Sequence, residues 1–144
     1  MLMKRHFLSK RETKEFQALL ETFGISVQSN NLEIEENDHS VIYDGNSSIL
    51  VKVQGRWLPT LKIMMSKDFP RVTIDQGAYE GIKNGANLYS AGIKKITGTL
   101  RKGSTCIIED MAGRQIGSAT VESEREEIEG RKKGSYLKVY ELYR

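Results

Sequence analysis

Within VTIDQGAYEGIKNGANLYSAGIKK, residues 72–95, glycines recur at Gly77, Gly81, Gly85 and Gly92, and lysines stand at Lys83, Lys94 and Lys95. Glycines at 77, 85 and 92 leave room for a sugar-phosphate backbone or an extruded base to approach main-chain amides. Lysine and arginine neutralise phosphates, the contribution that dominates nucleic-acid affinity. Between Arg71 and Lys102 there are six basic residues, Arg71, Lys83, Lys94, Lys95, Arg101 and Lys102, against two acidic ones. Tyr79 and Tyr89 add faces on which an unpaired base can stack. The chemistry of this set is polyanion binding, and RNA is the expected polyanion, because small β-rich modules generally read single strands, ends and loops. Each residue also has a plainer reading: Gly77 and Gly85 as turn and cap glycines, Tyr79 as a packed side chain.

Nucleophilic or metal chemistry finds little support. His6 and His39, the only histidines, are far apart in sequence, and Cys106 lies in the apolar stretch STCIIED, where a buried inert thiol is expected. Glu35, Glu36 and Asp38 read as a solvated acidic turn, and GANLYSAG lacks the Gly-Lys-Ser/Thr ending of a phosphate-binding P-loop. The expectation is therefore a non-catalytic protein with no metal and no cofactor.

The chain has 144 residues and 38% hydrophobic content, enough for one ordinary domain or two small ones. No apolar run reaches the roughly 18 residues of a membrane span, and MLMKRHFLSK lacks the apolar core of a signal peptide. With a single cysteine there is no disulfide framework, so a soluble, cytoplasmic protein without a membrane partner is expected. Charge divides unevenly. Residues 1–69 carry nine basic and nine acidic groups, residues 70–144 thirteen and ten, with five of those ten acids in ESEREEIE, residues 122–129.

The elements that would position these residues follow from pattern. SKRETKEFQALLETFG, residues 9–24, has Ser9 and Glu12 at capping-box spacing, an apolar stripe through Phe16, Leu19, Leu20 and Phe23, and a terminal Gly24. ISVQ, LEIEE, HSVIYDG and ILVKVQGRWL then read as short strands separated by turn residues. Pro59 and Pro70, the only prolines, bracket a boundary near residues 66–70, which divides the chain into 1–68 and 69–144. Beyond it come a strand RVTID, a short helix GAYEGIKNG, a strand NLYSAGI, a hairpin from STCIIED to QIGSATVES, an acidic helical turn, a basic turn at Arg131–Gly134 and a last strand SYLKVYELY. In NLYSAGI, Leu88 should face inward and Tyr89 outward. The fold class is an α+β N-terminal domain followed by an all-β pseudobarrel with short helices.

The second half resembles the PUA domain, named for pseudouridine synthase and archaeosine transglycosylase. The strand ending at Asp75, Gly77-Ala78, Gly85-Ala86-Asn87, and Gly92-Ile93 fall on its signature, as do Lys102-Gly103-Ser104 before IIED and the return strand from Arg114 to Ala119. Ser90-Ala91-Gly92 stands where many members have Ala-Pro-Gly. GRWLPTL, residues 55–61, followed by a linker and the PUA-like stretch, looks like the malignant-T-cell-amplified-sequence and ligatin group of translation proteins, and is similar to standalone archaeal PUA proteins. The resemblance implies RNA binding on the helix–strand region, with Arg71, Asp75, Gly77, Ala78, Lys83, Gly85, Ala86, Asn87, Tyr89, Ala91, Gly92, Ile93, Lys94, Lys95 and Arg101 as the expected site. tRNA or rRNA is the expected partner, and the N-terminal domain would contact a small ribosomal subunit or a translation factor. Two alternatives stay open: an accessory subunit that positions RNA for a separate modification enzyme, and a protein-interaction module.

Overall fold

The computed structural model describes residues 4–143 of the chain, which divides into two compact units, Met1–Lys67 and Asp68–Arg144. Among the described residues no helix is long and apolar enough to cross a membrane.

The first unit is a five-stranded antiparallel sheet with two helices. Its strands β1 (Arg5–Phe7), β2 (Leu32–Glu35), β3 (Val41–Asp44), β4 (Ser47–Val53) and β5 (Arg56–Pro59) are ordered β1-β2-β3-β4-β5. Helix α1 (Lys10–Thr22) starts with the expected capping box: the Glu12 amide donates to Ser9 Oγ at 3.1 Å and the Ser9 amide donates to Glu12 Oε1 at 3.0 Å. Leu20 is fully buried, and Phe16 meets Trp57 edge-on at 5.2 Å. That contact gives Trp57 a packing role.

The stretch ISVQ does not form the expected strand. Gly24 takes a left-handed φ of +76°, its amide donates to Glu21, and the Ile25 amide reaches back to Leu20. This is a Schellman cap, and Ile25 is its buried apolar stopper. Two elements escape the sequence pattern: β1, which pairs with β2, and α2 (Leu61–Met65), capped by Thr60 Oγ1, which accepts from the Ile63 amide at 3.2 Å.

The second unit contains β6 (Arg71–Ile74), α3 (Gln76–Lys83), β7 (Leu88–Tyr89), a 3-10 turn (Ser90–Gly92), β8 (Ile93–Thr97), β9 (Thr105–Glu109), β10 (Gln115–Val121), α4 (Arg125–Glu129) and β11 (Tyr136–Leu142). The sheet order is β7-β11-β10-β9-β6-β8. β7 and β8 are therefore the two edges of the sheet, yet only three residues separate them in the chain. A six-stranded sheet whose edges are joined by so short a turn must curl almost closed, and that makes the pseudobarrel. Here NLYSAGI departs from expectation, because it breaks at Ser90 and sends its halves to opposite edges. Val72, Ile74, Leu88, Cys106, Ile108, Ala119, Val121 and Leu137 fill the interior.

Candidate nucleic-acid interface

The seam between the two sheet edges is where most of the expected residues gather. Asp75 ends β6 and caps α3, accepting from the Ala78 amide at 2.7 Å, while Lys94 Nζ lies 3.5 Å from its other oxygen. The Ala78 amide first and Lys94 second hold the Asp75 carboxyl below its ordinary value of 3.8. The stability this adds is complete above the unfolded value and is lost as pH falls through the lowered folded one. Asp75→Asn, which keeps a capping oxygen, is expected to flatten the acid limb of the stability profile, read by denaturant titration from neutral pH down to acid.

The glycines separate into different roles. Gly85, at φ +91°, ends α3 in a second Schellman cap, with its amide donating to Ile82 and the Ala86 amide to Gly81. A β-carbon on Gly92 would lie 2.5 Å from the β-carbon of Ala78, so this glycine exists for the approach of α3 to the turn. Gly77 has neither constraint. Its φ is ordinary, and an added β-carbon would meet only Asp75 Oδ1 at 3.5 Å. Ala78 and Ile93 belong to the packing under the seam, whereas Ala86, Asn87 and Ala91 are exposed.

Leu88 is buried and Tyr89 is 50% exposed, as their alternation requires. The Tyr89 ring lies 6.0 Å from Tyr136 on the paired strand β11, so the exposed Tyr89 sits beside a half-buried tyrosine. Tyr79 packs partly against the core and carries Lys83 Nζ 5.7 Å above its ring; Lys83 also faces Glu80 at 3.6 Å.

The adjacent lysines Lys94 and Lys95 are both exposed, which a regular strand would forbid. A bulge explains it: Ile74 pairs with Ile93 and Thr73 with Lys95, so Lys94 is the extra residue. Both line a cleft of about 210 Å³ together with Ser90, Arg125, Glu129 and Arg131. Sequence reasoning missed the two arginines. Arg125 hydrogen-bonds the Gly98 carbonyl and pairs with Glu129. Arg131, in a left-handed conformation at φ +53°, aims its guanidinium at the carbonyls of Ser90, Ala91 and Ile93, the Ala91 bond being 3.1 Å. It braces the turn that lacks the family's proline. The legible signal was the basic turn after an acidic helix; its partner was not legible, because 38 to 41 residues separate them.

Arg71 and Arg101 lie outside the cleft. Arg71 pairs with Thr97 at the far end of β8 and faces Glu109 at 3.9 Å, and Arg101 is exposed in the loop before β9. Cys106 is fully buried, and burial pushes its thiol up to about 12, so it carries no nucleophile at neutral pH. Among the described residues no group of three or more histidine, cysteine, aspartate or glutamate side chains could hold a metal ion.

With a pseudobarrel sealed by a short turn and rimmed by cations, the architecture points to one class, and the comparisons agree with it. The PUA domain model matches residues 70–143 and a domain of unknown function, DUF1947, matches residues 4–67; the chain belongs to the PUA domain family. A conserved PUA domain protein from Thermoplasma acidophilum has the same fold with a TM-score of 0.74 and 25% identity, covering 96% of this chain and 93% of that one. An uncharacterized protein of Methanocaldococcus jannaschii is 32% identical over 100 residues, which are 64% of this chain and 62% of that protein. The glutamate 5-kinase of Aquifex aeolicus is 32% identical over 71 residues, 48% of this chain but 20% of the kinase. The chain thus matches less than two thirds of the length of these curated relatives.

Proposed function

We propose that residues 69–144 bind RNA non-catalytically at the seam of the pseudobarrel, and that residues 1–68 form an accessory domain contacting a protein partner. The observation that carries this reading is the bulge in β8, which turns both Lys94 and Lys95 outward beside Arg125 and Arg131. Four cations around one cleft on a chain of net charge +3 concentrate positive potential where a phosphate backbone would dock. Exposed Tyr89, backed by half-buried Tyr136, offers a stacking surface for an unpaired base. The finer assignment, to tRNA or small-subunit rRNA in translation, draws on the order of a small α/β domain followed by a PUA domain. The even charge balance of residues 1–69 supports a protein contact there over a second RNA contact.

The test is binding of labelled tRNA and small-subunit rRNA fragments to the full chain at several salt concentrations. Affinity should fall steeply with salt, and a complex that is indifferent to salt and nuclease would instead identify a protein-interaction module. Gly77→Ala separates backbone approach from folding. It is expected to hold or raise stability by about 0.5–1 kcal/mol, because alanine is the better helix former. If RNA passes close to the start of α3, the same substitution weakens binding severalfold; unchanged affinity would remove Gly77 from the interface.

A further inference from the structure

The cleft between β8 and α4 has a charge and a shape that an internal phosphate of a continuing strand would not use well. Its cations are Lys94, Lys95, Arg125 and Arg131. Two carboxylates offset them, Glu129 on Arg125 and Asp75 on Lys94. The balance of about two positive charges exceeds the single charge of a phosphodiester and matches a phosphomonoester, about −1.5 to −2 near neutral pH. One wall is α4, where Glu124, Glu126, Glu127 and Glu129 crowd into six residues. A strand that ran on across this wall would carry its next phosphates over that acidic face. A strand entering from the lysine side and stopping in the cleft would meet the cations and, of the helix's carboxylates, only Glu129, which is already paired with Arg125.

Resting on the RNA-binding reading above, we infer that the cleft receives the terminal phosphate of an RNA strand, so that the domain prefers phosphorylated ends. Lys95 supplies the readiest contact, since its ammonium makes no ion pair among the described residues. Arg131, already engaged with the carbonyls of Ser90, Ala91 and Ile93, acts as a positioning residue that keeps the cleft's floor in place. Arg125 does the same for the opposite wall through Gly98 and Glu129.

The experiment uses one single-stranded RNA in three forms, with a 5′-phosphate, with a 3′-phosphate, and with hydroxyls at both ends, titrated against the full chain at one salt concentration. One phosphorylated form should bind at least about fivefold more tightly than the hydroxyl form, and which one it is names the end recognised. Lys95→Ala, an exposed position with no packing role, should narrow that gap. Excess inorganic phosphate should narrow it too. Equal binding of all three forms overturns end recognition and leaves RNA binding standing. A preference that survives Lys95→Ala undiminished also overturns it, by locating the end elsewhere. If none of the three binds, both readings fail together.

Discussion

Reversing two cations at once, Lys95→Glu with Arg101→Glu, is expected to reduce affinity for the tRNA or rRNA fragment by at least about tenfold and to flatten its salt dependence. Removing one phosphate interaction with a single strand lowers the slope of log affinity against log salt by about 0.7. These positions are chosen for what they do not do. Lys94 lies 3.5 Å from Asp75, so Lys94→Glu would set two carboxylates together at the cap of α3 and damage the helix as well as the interface. Gly85→Arg would force a side chain onto a left-handed residue. Lys95 and Arg101 are exposed and have no ion pair among the described residues, so replacing them should leave the denaturation midpoint nearly unchanged. Retained affinity with retained folding would remove Lys95 in the cleft and Arg101 outside it as phosphate contacts and turn attention to the aromatic pair on β7 and β11.

How far the sequence reaches depends on how local each feature is. The capping box of α1, the stop at Gly24 and the inward Leu88 beside outward Tyr89 each rest on interactions spanning a few residues, and each is present. Strand β1 is three exposed residues with no period of their own; it forms because β2 offers an unpaired edge. Helix α2 is five residues, too short for a 3.6-residue pattern to declare itself. The candidate site was half legible for the same reason. Glycines and lysines announce themselves by type and spacing. The curl that carries β8 beside α4 comes from β6 pairing antiparallel with β8 and parallel with β9, which no local pattern encodes. Without that topology nothing links Arg131 to Ser90, or Arg125 to Gly98.

The seam itself can be tested through stability. Gly92→Ala is expected to destabilise the second unit by about 1–3 kcal/mol, the usual cost of overpacking. The new methyl would lie 2.5 Å from the β-carbon of Ala78 and 3.6 Å from Leu88, both held by the core. Rotation offers no relief, because a β-carbon has no torsion with which to move aside. Relief by backbone shift would have to separate α3 from the 3-10 turn, the Asp75 amide from the Gly92 carbonyl it donates to at 3.2 Å, and the three carbonyls under Arg131. Ala78→Gly supplies the control. Alone it costs about 1 kcal/mol of helix propensity, but it removes the obstructing methyl. In the double variant the two costs should therefore fall short of their sum, a coupling of about 0.5–3 kcal/mol measured by denaturant unfolding of the four proteins. Simple additivity would mean that the turn yields without strain and that Gly92 is there for a ligand's approach. A strong coupling would mean that the helix and the turn are locked as one piece, so that the Gly-Ala of one and the Gly-Ile of the other are two halves of a single contact holding the barrel's edges together.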